Sequence, residues 1–268
     1  MRGVAYNSSM KIYSWNMLFR NPDMDRAFTF ITESDYDIFC IQEAPTEFVD
    51  RLRALNRPMD VAIEMEQEYA GKMSVRHLVV LSRYPLTRVK HLPLPELDSL
   101  RTWRSYFFVK FMMLMRAWGH GTGNRHSQIV DVTLPEGTMR LFNLHLPLVT
   151  PDQRVLEFEL ALAERDPSLP TIVCGDFNVL EHPRITVLTW LLGGRLTDAI
   201  RYTLERTRIE ERFVAHSLVN VLRGKRTHAI SASQLDHILV SHHFSLKQAD
   251  VFKEAYGSDH QPIYAEVA

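Results

Sequence analysis

Short apolar runs that end on an acid, an amide or an imidazole recur along this chain, and they narrow the folds open to it. Ile12-Tyr13-Ser14-Trp15 leads into Asn16, Ile38 to Gln42 into Glu43, and Met139 to Leu144 into His145. Thr171-Ile172-Val173-Cys174 leads into Gly175-Asp176-Phe177-Asn178. Asp236 stands just before the run Ile238-Leu239-Val240, and Ser258, Asp259 and His260 precede the last run. Such runs between turn residues read as strands. Polar groups at their ends can share one site only if the strand ends meet at one rim, where loops carry function and the sheets hold them rigid.

Between these runs the periodicity changes to that of helices. Met24, Ala27, Phe28 and Ile31 predict a helix over 24–32, and a second is expected over 46–55. Thr150-Pro151-Asp152-Gln153 is a helix start, with Thr150 as cap, Pro151 in the first helical position and Gln153 placed to complete a capping box. That helix is expected to reach about Glu164, and a shorter one to lie near 185–192. Strands are expected over 77–81, 86–92, 128–134, 139–144, 235–241, 246–253 and 262–267. The segment 201–226 patterns poorly and reads as a helix or two plus a loop. With no repeat, linker or low-complexity tract, the simplest account is one α/β domain over 1–268 with helices packed outside sheets.

The strand-end residues suggest one chemistry. Carboxylates and amides are hard oxygen ligands that suit magnesium or manganese. Cys40 and Cys174 lie in separate apolar runs, without the paired spacing of a structural zinc site, and read as buried thiols. Histidines beside such carboxylates hold or move protons. A divalent ion with two histidines is a kit for hydrolysing a phosphate ester. Each residue taken singly also suits a turn, a helix start or a buried polar contact. Their shared position in the chain argues for a site.

In sequence order, SWNM, IQEA, LSRYPL, NLHLP, GDFN, LDHILVS and GSDHQP resemble the endonuclease/exonuclease/phosphatase superfamily, across 11–267. The resemblance implies a four-layered α/β sandwich, two mostly antiparallel sheets face to face with helices outside. It also implies a metal-dependent phosphohydrolase, most simply a phosphodiesterase. On the matching positions, Glu43 would be the principal metal ligand with Asn16 beside it, and Asp259 a further metal or water contact. His260 would be the catalytic histidine oriented by Asp236. His145 would stabilise the phosphate or protonate the leaving oxygen. Asp176 would orient or deprotonate water, and Asn178 would hold a phosphate oxygen. Either Asp176 or His260 could be the base. Arg125 stands where family nucleases place a phosphate-binding arginine; a solvated arginine is the alternative. Abasic-site nucleases of the superfamily follow the metal-ligand acid with Thr-Lys, whereas this chain reads Glu43-Ala44-Pro45. That places a general phosphodiesterase ahead of a DNA-repair enzyme. A nuclease, a phospholipid or sphingolipid headgroup hydrolase, and an inactive binding module of the same fold are the alternatives.

Residues 101–118 read RTWRSYFFVKFMMLMRAW, and no acid occurs between Asp98 and Asp131. The apolar content favours an element that fills the core. An interfacial element touching lipid, or an aromatic surface for nucleic acid, is the competing reading. A flexible loop at the site rim is expected over 119–123. With net charge -1 over 268 residues, no global field selects nucleic acid. No apolar run reaches the roughly 20 residues of a membrane span, and residues 1–10 lack an apolar secretory core. A cytoplasmic protein with peripheral membrane association left open is the expectation.

Overall fold

The computed structural model describes residues 9–69, 71–97, 102–115, 120–183 and 185–268. The first half runs β1 (Met10–Asn16), α1 (Met24–Glu33), β2 (Ile38–Pro45), α2 (Thr46–Arg53), β3 (Met59–Tyr69), β4 (Lys72–Ser82) and β5 (Leu86–Pro93). Then come α3 (Trp103–Leu114), β6 (His120–Gly123), β7 (His126–Leu134), β8 (Gly137–His145), α4 (Pro151–Leu162) and β9 (Thr171–Asp176). The last part runs α5 (Val187–Leu191), α6 (Leu196–Ile200), α7 (Leu204–Ala215), β10 (Leu218–Asn220), β11 (Asp236–Ser241), β12 (Leu246–Val251) and β13 (Ile263–Val267).

These strands form a seven-stranded sheet in the order β12-β13-β1-β2-β4-β3-β6 and a six-stranded sheet in the order β10-β11-β9-β8-β7-β5. Each contains one parallel pair, β1 with β2 and β8 with β9, and is otherwise antiparallel. A parallel pair needs a crossover to return the chain to the same end. Helix α1 supplies it in the first sheet and α4 in the second. The two crossovers therefore bring the C-terminal ends of four strands to one rim.

The period-2 alternation of strands explains the layers. Ile12, Ile38, Cys40 and Val80 of one sheet meet Val130, Leu141, Ile172, Cys174 and Ile238 of the other in the central core. The intervening residues Tyr13, Trp15, Phe39 and Ile41 pack with Phe30 and Ile31 of α1 and Phe48 and Val49 of α2. On the opposite outer face, Phe142, Leu144 and Val173 pack with Phe158 of α4 and Phe213 of α7. Strands covered on both faces read as unbroken apolar runs, which is the feature first met in the sequence. Cys40 and Cys174 are free and buried.

Thr150 caps α4 by accepting from the Gln153 backbone nitrogen at 3.2 Å. The Gln153 side chain does not complete the capping box; it donates to Glu157 Oε1 at 3.0 Å. Arg154 of α4 and Glu205 of α7 form an ion pair in which both side chains are almost fully enclosed. Arg154 also donates to the Pro147 carbonyl at 3.0 Å. Removing one partner of such a pair strands the other charge in a dry site. Arg154→Ala is expected to destabilise the protein by about 3–5 kcal/mol, read as a lower denaturation midpoint. A loss like that of an exposed arginine would show that the pair contributes little.

Two expectations fail, and one strand carried no expectation. Residues 59–69, with charged side chains interrupting the apolar pattern, form the long strand β3. Residues 120–123, expected as loop, form β6 against β3. The segment 103–114 is not core: of α3 only Ser105 is buried, and Trp103 and Phe107 are 77% and 65% exposed.

Candidate active site

The rim opens into a cleft of about 900 Å³. Register explains which side chains reach it. Asn16 pairs with Gln42 across β1 and β2, His145 pairs with Asp176 across β8 and β9, and Asp236 pairs with Asp176 across β11 and β9. A buried amide network fastens the sheets together below: Gln42 donates to Asn143 Oδ1 at 2.8 Å, and Asn143 donates to Gln128 Oε1 at 3.0 Å. Above it, Trp15 Nε1 donates to the His260 carbonyl at 3.0 Å, and Ser258 Oγ donates to the Asn16 carbonyl at 2.7 Å. Trp15 and Asn16 thus lock the turn that carries His260.

Gly175 can be nothing else. Its φ is +138°, and a Cβ there would lie 1.8 Å from the Leu144 carbonyl oxygen. That close passage of β9 by β8 sets Asp176 beside His145. Asn178 follows at φ 51°, and its backbone nitrogen donates to Asp176 Oδ1 at 2.9 Å. A short polar side chain tolerates this left-handed turn. The Asn178 amide nitrogen donates to the Leu146 carbonyl at 2.9 Å and stands 3.2 Å from His145 Nε2.

Asp176 Oδ2 is the hub of the floor. Asn16 Nδ2 donates to it at 3.0 Å, His145 Nε2 lies 3.5 Å away and His260 Nε2 3.7 Å away. Each ring is held from behind by an acid: His260 Nδ1 donates to Asp236 Oδ2 at 2.8 Å and His145 Nδ1 donates to Glu64 Oε1 at 2.9 Å. Glu43, at φ 58°, lies in an irregular stretch of β2 and presents its backbone nitrogen to Glu64 Oε2 at 2.6 Å. Glu64 lies where the register of β3 shifts. Bulges of this kind re-aim side chains, and here they bring two acids to one wall. Arg76 Nη1 meets Glu43 Oε1 at 2.8 Å, and the Phe19 backbone nitrogen donates to Glu43 Oε2 at 3.0 Å.

A family model described as the Endonuclease/Exonuclease/phosphatase family matches residues 13–260. The chain belongs to this family. No curated protein matches it significantly. Solved structures share the fold. An endonuclease/exonuclease/phosphatase from Beutenbergia cavernae superposes with TM-score 0.67 at 16% identity, over 97% of this chain and 71% of that one. A family protein from Leptotrichia buccalis gives 0.64 at 14% identity, over 97% and 99%. D. rerio TDP2 complexed with single strand DNA product gives 0.58 at 14% identity, over 98% and 100%.

The structure lines this family fold's cleft with Asn16, Glu43, His145, Asp176, Asn178, Asp259 and His260 and sets Asp236 behind His260; Asp259 and Arg125 have partners other than the expected ones. Asp259 faces His228, Oδ2 to Nε2 at 3.4 Å, and clusters with His228 and His260 rather than with Glu43. Arg125 reaches the cleft wall, but its guanidinium is held in a fork by Glu157 of α4 at 2.6 and 2.9 Å. With that charge matched and buried, it is not a free phosphate arm. Glu64, Arg76 and His228 were not anticipated. Two of them sit in β3 and β4, where bulges, which leave no mark in the sequence, decide which side chains face the cleft.

Charge follows from the packing. Burial lowers the His260 pKa, but Asp236 and Asp176 outweigh it and the ring is pushed up to about 10. Burial also raises the Asp236 carboxyl; the proton resides on the ring, because Asp236, Asp176 and Asp259 all act on one imidazole. His145 is pushed up to about 9, burial again being outweighed by Glu64, with help from Asp176 and Glu43. Burial raises Glu43, yet Arg76 and His145 hold it below the usual carboxylate range. A histidine with a raised native pKa stabilises the fold below its unfolded value near 6.5 and loses that contribution as pH rises through the native value. In chelator, the melting temperature should therefore fall between pH 7 and 10, and more gently for His260→Ala. Identical slopes would mean His260 is not charged in the native state.

Donor chemistry fits one hard divalent ion. Glu43 and Glu64 each offer a carboxylate oxygen within 4.8 Å of the other, and His145 stands beside them as a proton donor rather than a ligand. Two carboxylates and a neighbouring amide favour magnesium or manganese over softer metals. Asn16 serves as a link here, donating to Glu43 Oε1 at 3.4 Å as well as to Asp176.

Proposed function

We propose that this protein is a divalent-metal-dependent phosphodiesterase that cleaves by attack of water on phosphorus. The observation that carries the reading is the convergence of both histidines on Asp176 Oδ2 beside the Glu43 wall. Bound by Glu43 and its neighbours, magnesium or manganese would supply a Lewis acid for a phosphate oxygen. The chain's own groups divide the remaining work. His145 and His260, protonated at neutral pH, place positive charge where a phosphorane-like transition state gathers negative charge. Asp176 is the acceptor left between them and takes the proton of the attacking water. Asn178, tied to Asp176, orients a phosphate oxygen. His145, backed by Glu64, returns a proton to the leaving oxygen. Asp236 keeps the His260 ring in place. Arg76 balances the Glu43 charge.

A nuclease is the second reading, favoured by two fold relatives. TDP2 is complexed with single strand DNA product, and the TRAS1 endonuclease domain belongs to a telomere-specific retrotransposon. Purified protein with magnesium should be offered bis(p-nitrophenyl) phosphate, p-nitrophenyl phosphate, plasmid DNA, single-stranded DNA, RNA and phospholipid vesicles. The expected result is turnover of the diester above the monoester. Monoester preference would overturn the diesterase reading, and efficient nicking or trimming of nucleic acid would make the protein a nuclease.

A further inference from the structure

Helix α3 is apolar on nearly every side, a composition that belongs to helices covered all round, yet its outer side is uncovered. Trp103, Tyr106, Phe107, Phe111 and Leu114 recur at helical spacing along that side, and Trp103, Phe107 and Leu114 are 77%, 65% and 79% exposed. The helix is firmly built. Thr102 and Ser105 form a capping box at its start. Arg104 of α3 donates to the Trp190 carbonyl at 2.7 Å and to the Gly194 carbonyl at 3.0 Å, with its guanidinium 4.3 Å from the Trp190 ring centre. This fastens α3 to α5. The neighbouring α5 and α6 carry more exposed apolar side chains, Val187, Leu196 and Ile200.

The other side of α3 lines the cleft. Val109 and Met113 face it together with Leu188 and Leu192, and the same cleft holds His145, Asp176 and His260. One cavity therefore offers a charged end suited to a phosphodiester and an apolar end under α3. α3 has no acid, and exposed Lys110 lies within the aromatic stripe. Aromatic and aliphatic side chains around a cation suit the boundary of an anionic bilayer. Single-strand binders instead set separate aromatics in a basic groove that follows the backbone.

We propose that α3 docks the protein on an anionic lipid surface and that the cleft beside it takes the phosphodiester of a membrane lipid, its apolar part lying against Val109, Met113 and Leu188. The substrate assignment rests on the phosphodiesterase reading above; the docking does not.

The test uses vesicles of phosphatidylcholine with phosphatidylserine, against phosphatidylcholine alone. Wild-type protein should co-sediment with the anionic vesicles and less so as salt rises. Phe107→Ser/Phe111→Ser should weaken partitioning by roughly tenfold or more with an unchanged melting temperature, because both side chains already face solvent. No vesicle binding by wild-type protein, or binding untouched by the double substitution, would overturn the docking. A dimer in solution that the substitution dissolves would give the face to a second copy instead and overturn it too. Headgroup or phosphate release from the bound vesicles supports the substrate assignment. Turnover of a soluble diester with none from bound vesicles overturns that assignment. Failure on the soluble diester as well overturns the phosphodiesterase reading, and with it the substrate assignment, while vesicle binding still decides the docking.

Discussion

His260→Ala is expected to cut turnover of a soluble phosphodiester by roughly 10²- to 10⁴-fold, the range for a positioned proton-handling side chain. The ring is enclosed, donates to Asp236 Oδ2 at 2.8 Å and aims its other nitrogen at Asp176. Asp236 touches neither the cleft nor the hub directly and acts through the ring. Asp236→Asn should therefore lower turnover by allowing the wrong ring tautomer and removing the charge that holds the imidazolium. Residues that act as one unit are not additive. The double variant should be scarcely slower than His260→Ala alone. Losses that multiply would show that Asp236 and His260 work separately. Circular dichroism of each variant distinguishes lost chemistry from lost fold, since Asp236 is left buried without its partner.

Glu43→Gln should lower magnesium-supported turnover by roughly 10²- to 10³-fold, the several kcal/mol that a bound Lewis acid supplies. The substitution keeps the side chain's length and removes its charge. It also leaves Arg76, 2.8 Å away, facing a neutral amide. The apparent magnesium requirement should shift to higher concentration, because one of two wall carboxylates is gone and Glu64 remains. Unchanged magnesium dependence with full activity would place the ion elsewhere.

The candidate site was legible in the sequence wherever it sits at the end of a strand covered on both faces. There an unbroken apolar run gives way to Asn16, Glu43, His145 or Asp176, and the change is abrupt enough to read. The family resemblance implies roles for them. What could not be read depends on backbone irregularity or on distant partners. Glu64 reaches the site because β3 shifts register there, and Glu43 because β2 does. Arg125 has the position of a phosphate arm, but Glu157, 32 residues on and beyond β7 and β8, has already matched its charge. Helix α3 departs from its composition: an apolar segment is expected to be covered by its own chain, and the outer side of this one stays exposed.

The most direct test of the central claim is the rate of bis(p-nitrophenyl) phosphate cleavage as magnesium is titrated back into chelated protein. Negligible turnover in chelator, a saturable rise with magnesium and no comparable rise in His260→Ala are the predicted results. Equal turnover with and without the ion, or an undiminished rate in His260→Ala, would contradict it.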